Sequence, residues 1–196
     1  GSAPAISANS FYDVTATAYY YPDETWTEDV RQNYGGHITW VARQSASEGL
    51  EFTLSSDGTY YSVTGIGTCK DTDIVIPSTH EGKPVKAIGN NAFKENTSIT
   101  SVKIPDSITA IGDYAFQYCA GLAEITIPNQ VAIIGKHAFQ LCTGLKQVNL
   151  ADGLIIIDEY AFSACTSLAK ITIPDSVTSI GFSAFERCSG LISIVI

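Results

Sequence analysis

The sequence repeats itself, and the repeat constrains this chain more than any other feature. Ala-Phe recurs at Phe93, Phe116, Phe139, Phe162 and Phe185, a step of 23 residues each time without gaps. Five residues before each Phe stand Ile88, Ile111, Ile134, Ile157 and Ile180, followed by Gly89, Gly112, Gly135 and Gly181, with Asp158 as the exception. Three residues after the Phe come Cys119, Cys142, Cys165 and Cys188, with Asn96 in the first copy, and three further on Ile99, Leu122, Leu145, Leu168 and Leu191. A paired apolar step closes each unit: Val102/Ile104, Ile125/Ile127, Val148/Leu150, Ile171/Ile173 and Ile194/Ile196.

A 23-residue unit is too short to bury its own apolar residues. Stacked in register, each coil covers its neighbour and every apolar column becomes an internal ladder. The segment LxxIxIP alternates in and out, as a half-exposed strand does. Pro105, Pro128 and Pro174 end three of these strands, since proline has no N–H for a ladder bond; Ala151 stands in the third copy. The next apolar pair, as in Val131 and Ile134, suits a short extended return on the opposite side. Gly is expected to permit a tight bend there, and Ala-Phe to begin a short helical or 3₁₀ turn. Each buried Phe contributes roughly 1.5–3 kcal/mol.

The pattern LxxIxIP…V..IG..AF..C..L, from about Cys69 to Ile196, resembles the BspA-like, or Treponema-type, leucine-rich repeat of bacterial surface proteins. It departs from the general leucine-rich pattern in placing Cys where Asn often stands and Ile-Pro where Leu-x-x-Asn would be. The resemblance implies an α/β repeat fold: a right-handed solenoid with a parallel β-sheet face and short helical turns, preceded by a small β-rich segment. It also implies a secreted or cell-surface bacterial protein that binds other molecules and is not an enzyme.

Three regions are expected. Residues 88–196 hold the five regular repeats. Residues 49–87 hold a hairpin and a degenerate capping coil: Ser55-Ser56-Asp57-Gly58 is a hairpin turn signal, and Ile74-Val75-Ile76-Pro77 copies the repeat strand. Ile88 lies eleven residues after Pro77, against six from Pro105 to Ile111, so five extra residues around His80–Pro84 should bulge as a loop. Residues 1–48 do not repeat; Gly1-Ser2 resembles a tag remnant, and a signal peptide is expected to precede it. Phe11–Tyr21 and His37–Ala42 read as strands, with a short helix over Thr25–Gln32 begun by a Thr cap. Ile196 stops inside a repeat strand, which points to self-association through that end or to a longer chain.

Charge and chemistry narrow the function. The net charge of −9, with 8 acids against 2 bases in residues 1–69, disfavours a nucleic-acid partner. No apolar run reaches the ~18–20 residues of a membrane span. The five cysteines read as buried thiols rather than disulfides, because coils ~4.8 Å apart hold in-register Cβ atoms wider than the ~3.5–4.5 Å of a bridge. No metal or cofactor site is expected: the cysteines lack CxxC spacing, and the acids Asp23, Glu24, Glu28 and Asp29 lack EF-hand spacing. His37, His80 and His137 are scattered, without a nucleophile or an orienting partner, so no catalytic residue is assigned; His137 reads as a solvated surface side chain.

The outward columns of the strand ladder are the candidate partner-binding face: Ser101, Glu124, Gln147 and Lys170 in one, Lys103, Thr126, Asn149 and Thr172 in the other. A second candidate is glycan stacking on Tyr20, Trp26 and Trp40. The leading reading is a non-catalytic protein-recognition or adhesion module meeting a host or neighbouring microbial surface. Two readings remain beside it: a glycan-binding accessory module of a larger carbohydrate-processing protein, and a passive structural spacer.

Overall fold

The computed structural model describes residues 5–6, 10–20, 31, 35–42 and 45–196, and the chain divides into two compact units, Gly1–Ser45 and Ala46–Ile196. In the first unit β1 (Thr15–Tyr20) and β2 (His37–Ala42) pair in parallel, from Thr15 opposite His37 to Tyr20 opposite Ala42. The His37 N–H donates to the Val14 carbonyl at 2.7 Å. A Cβ on Gly36 would sit 2.1 Å from the Phe11 carbonyl oxygen, so only glycine lets β2 begin there. The helix expected over Thr25–Gln32 lies, Arg31 apart, outside the described residues.

The second unit opens with an antiparallel hairpin of β3 (Glu51–Leu54) and β4 (Tyr61–Gly65). Its turn is held by Asp57, whose carboxylate accepts from the Ser55 hydroxyl at 2.6 Å, the Thr59 hydroxyl at 2.8 Å and the Thr59 N–H at 3.0 Å. There follow β5 (Asp73–Val75) and a small hairpin of β6 (Thr79–His80) with β7 (Lys83–Ile88). The five extra residues therefore fold back as an ordered hairpin. Glu81 and Gly82 take the positive φ of its tip, and the His80 ring stacks on Phe52 at 4.0 Å and meets the Tyr61 edge at 4.7 Å. The Tyr61 hydroxyl donates to Glu81, which raises the phenol above its ordinary pKa.

From there each coil supplies a front strand and a back strand. The pairs are β8 (Ser101–Lys103) with β9 (Ala110–Ile111), β10 (Glu124–Ile127) with β11 (Ile133–Ile134), β12 (Gln147–Leu150) with β13 (Ile156–Ile157), and β14 (Lys170–Thr172) with β15 (Ser179–Ile180); β16 (Ser193–Val195) is a last front strand. The back sheet runs without a break in the order β3-β4-β7-β9-β11-β13-β15. The front sheet forms two pieces, β5-β8-β10-β12 and β14-β16. All pairings between repeats are parallel and in register with the 23-residue step, as in Glu124 opposite Gln147 and Ile133 opposite Ile156.

The turns around Phe are not helical, and the helical or 3₁₀ turns expected from the sequence are corrected here. Alternate N–H groups in this segment leave the coil: those of His137, Phe139 and Leu141 donate to Glu159, Ala161 and Ser163 of the next coil at 2.7–2.9 Å. The intervening N–H groups of Ala138, Gln140 and Cys142 close i to i−3 turns on Gly135, His137 and Phe139. A helix would spend all of these donors inside its own coil. Here half of them build a third ladder between coils, at the cost of positive φ at His137 (55°) and Leu141 (62°) and at the matching residues of the other coils. The Gly column acts differently from the expected bend. Gly135 does not have positive φ; an added Cβ would lie 2.8 Å from the Asp113 backbone nitrogen, so glycine permits close approach between coils.

The core is the set of inward columns. Phe93, Phe116, Phe139 and Phe162 are fully buried and stack near-parallel at centroid spacings of 5.1 Å, with Phe185, half-buried, 5.5 Å beyond. The Cys column packs beside them as buried thiols with a polar task. Cys119, Cys142, Cys165 and Cys188 each donate S–H to the Phe carbonyl of the preceding coil, at 3.0–3.2 Å. Burial pushes the Cys119 thiol up to about 12 and Cys142 well above the ordinary thiol value.

Candidate functional site

The front strands bury every second residue. Ile125, Val148 and Ile171 point into the core, which turns Glu124, Thr126, Gln147, Asn149, Lys170 and Thr172 outward, all exposed, together with exposed Lys103 and half-buried Ser101. The eight sequence-selected residues thus share one face. A short amide chain stiffens its middle: Gln147 donates to Asn149 at 3.0 Å, and Asn149 donates to the Thr126 hydroxyl at 3.2 Å. Among the described residues Lys103, Glu124 and Lys170 make no ion pair, so their charges face solvent.

Asp73 belongs to the same face and was missed in the sequence. It pairs with Ser101, but the five-residue insertion puts it 28 rather than 23 positions upstream, out of the column. The Thr100 and Ser101 hydroxyls donate to its carboxylate at 2.7 and 2.8 Å and hold its pKa below the ordinary value. An open groove of about 490 Å³ crosses the face between Lys103, Asp106, Glu124 and Asn149. A second, of about 460 Å³, follows the break in the front sheet between β12 and β14.

The glycan-stacking candidates do not assemble within the described residues. Trp26 and the Tyr20 side chain lie outside them, and Trp40 is half-buried, its ring edge-on to Phe11 at 6.5 Å. His37 sits exposed on β2, and His80 is spent on packing the cap hairpin. His137 is not a freely solvated side chain, a second correction. Its ring lies half-buried between Tyr114, at 4.7 Å and 6°, and Tyr160, at 4.9 Å and 4°. The physical reason is the coil height, which brings rings 23 residues apart to stacking distance. Its Nδ1 also meets Gln140 Oε1, which accepts from Gln117, at 3.0 and 2.6 Å. Among the described residues no three His, Cys, Asp or Glu side chains converge as for a metal ion, and no helix is long and apolar enough to cross a membrane.

What this arrangement can do chemically is bind. It offers a broad sheet face with fixed hydrogen-bonding groups and unpaired charges.

Comparison with known proteins agrees with this architecture. The family model for the BspA type leucine-rich repeat region matches residues 67–196 in six copies. A leucine-rich repeat protein of T. pallidum is similar at 32% identity and a TM-score of 0.74, covering 78% of this chain and 71% of its own. One from Bacteroides ovatus shows 29% identity and a TM-score of 0.68 over 79% of this chain and 41% of its own. One from Bacteroides capillosus shows 30% identity and a TM-score of 0.50 over 77% of this chain and 96% of its own. No curated protein matches the sequence. With about two thirds of its length under the family model, the chain belongs to the BspA-type leucine-rich repeat family.

Proposed function

We propose that this chain is a non-catalytic protein-recognition module of a bacterial surface or secreted protein, and that the front face holds the partner. The observation that carries the reading is the row of outward side chains, in register from Ser101 to Asn149 across β8, β10 and β12 and continued by Lys170 and Thr172 on β14, on strands whose inner faces are locked in the core. A rigid face loses little conformational entropy on binding, which favours recognition by pre-organised polar contacts. Its lack of exposed aromatic anchors fits a polar, wide contact more than a small apolar hot spot. Membership of the BspA-type leucine-rich repeat family supports protein interaction as the task. A host or neighbouring microbial surface is the setting we assign.

The test is a screen of the whole chain against an array of extracellular proteins, followed by surface plasmon resonance on the strongest binder. The triple variant Lys103→Ala/Glu124→Ala/Asn149→Ala should weaken that binding at least tenfold, with its melting temperature within a few degrees of the parent. Binding indifferent to the triple variant would move the site off this face.

A further inference from the structure

The front sheet is joined at every step except one. The N–H groups of Thr100, Ala123, Lys146 and Ile192 each reach back to the preceding front coil, donating to the carbonyls of Thr72, Thr100, Ala123 and Ala169 at 2.8–3.1 Å. The equivalent bond from Ala169 to the Lys146 carbonyl is missing, and β12 and β14 share no ladder pair. Behind them the coils stay closed: β13 pairs with β15, and His137, Phe139 and Leu141 all keep their cross-coil bonds. The result is a seam unbonded only at the front, with exposed Ala169 in its lining and no backbone acceptor for the Ala169 N–H.

The lining of this seam stands apart from the rest of the molecule in charge. The chain carries 20 acids against 11 bases, yet the seam is lined by Lys146 and Lys170 with Gln147, Asn149 and Thr172, and by no carboxylate. Neither lysine has an ion-pair partner among the described residues. The neighbouring groove between β8 and β10 is different, since Asp106 and Glu124 stand beside its Lys103. A groove lined by two lysines and by Ala169, whose N–H makes no backbone hydrogen bond, is complementary to a carboxylate, which accepts charge-assisted hydrogen bonds on both oxygens. The opening is too narrow for a whole strand, because β12 and β14 remain neighbours. It suits one acidic side chain reaching in from a segment laid across the sheet.

We infer that the break between β12 and β14 is a carboxylate-binding subsite, in which Lys146, Lys170 and the Ala169 N–H take an Asp or Glu side chain of an extended acidic segment of the protein partner. This rests on the protein-recognition reading above and names the chemistry of that partner. The bound oxygen would supply the acceptor that the sheet lacks at Ala169, and the two lysines would set the preference for an acid over its amide.

The experiment uses the full chain and a fluorescein-labelled nine-residue peptide of alternating Thr and Glu, beside the same peptide with Gln for every Glu. By fluorescence anisotropy the Glu peptide should bind at least tenfold more tightly than the Gln peptide. That advantage should vanish in Lys146→Gln/Lys170→Gln and persist in Lys136→Gln, whose lysine lies outside the groove lining and pairs with Glu159 at 3.1 Å. In NMR spectra the Ala169 amide should shift on titration with the Glu peptide. Equal binding of the two peptides, no binding of either, or an advantage that survives in the double variant overturns the proposal. So does preferential binding of oligogalacturonate, a carboxylated glycan used as a competing probe. The function itself is tested apart: if a partner found on the protein array is lost by the front-face triple variant but not by Lys146→Gln/Lys170→Gln, the subsite falls and the recognition face stands.

Discussion

Two ring stacks run side by side along this solenoid and differ in little but burial. The inner one joins Phe93 to Phe185 at spacings of 5.1–5.5 Å, and the outer one joins Tyr114, His137 and Tyr160 at 4.7 and 4.9 Å, all with near-parallel planes. His137 and Phe139 are two residues apart in one turn, and both donate N–H to the next coil. The rise of the coil, set by backbone hydrogen bonds, fixes ring spacing in both stacks. Energy is fixed elsewhere. Phe139 is removed from water entirely, whereas His137 keeps part of its surface wet, so equal geometry carries unequal stability.

The largest expected effect is therefore at Phe139. Phe139→Ala should destabilise the folded state by about 3–5 kcal/mol in denaturant titration, since the neighbouring coils cannot close on the cavity without breaking three ladders. Phe185→Ala, whose ring has a neighbour on one side, should cost about half as much. Equal losses at both positions would mean that burial of the ring does not set the cost of removing it.

The Cys column tests whether the inner stack is held by apolar packing alone. The Phe116 carbonyl accepts from the Cys119 N–H at 3.1 Å and from the Cys142 thiol at 3.1 Å. Cys142→Ala should lose about 1 kcal/mol, the net worth of one buried hydrogen bond, and Cys142→Ser should be the more stable of the two because it keeps a donor. A thiol serving only as filler predicts the reverse order, since serine then buries a hydroxyl without benefit.

The outer stack should respond less, and with an unusual ranking. His137→Ala removes two partly exposed ring contacts, worth about 0.5–1 kcal/mol together. His137 also sits at φ 55°, where a side chain costs about 1–2 kcal/mol and glycine little. His137→Gly should thus be at least as stable as His137→Ala in thermal melts, although glycine is the poorer residue in ordinary backbone. A Gly variant clearly less stable than Ala would remove strain from the account of this turn.

That turn also shows where the sequence could be read and where it could not. The columns of Ile, Phe, Cys and Leu announced stacked coils, and the alternation in Glu124–Ile127 announced which side chains face out. The positive-φ ladder was hidden because only Asn91 and His137 among its positions are residue types enriched in such backbone; Tyr114, Leu141, Ala164 and Arg187 give no local sign. Its cause is a bond to the next coil, which no short window of sequence contains. The stacking of His137 was within reach, since Tyr114 and Tyr160 lie one repeat to either side. The face residues were legible by alternation, but Asp73 escaped through the insertion, and the break between β12 and β14 has only Ala151 and Asp158 as nearby departures from the repeat.

The smallest effect lies in the hairpin that begins the second unit, where a single carboxylate organises the turn. The Ser55 hydroxyl, then the Thr59 hydroxyl and N–H, donate to Asp57 and lower its pKa from 3.8 to about 2. A depressed carboxylate stabilises the folded form above its unfolded pKa and loses that contribution as pH falls through the folded value. The contribution of Asp57 is therefore complete above about pH 4 and fades toward pH 2. The Thr59 amide resonance should report this directly, moving with a midpoint near pH 2 in the parent and staying flat in Asp57→Asn. The Phe139 amide, in a ladder that contains no titrating acceptor, should not follow it. A Thr59 midpoint near the ordinary carboxylate value would show that the three hydrogen bonds of this turn are not held in solution, and would leave the cap hairpin organised by its rings, Phe52, Tyr61 and His80, as the repeats are by theirs.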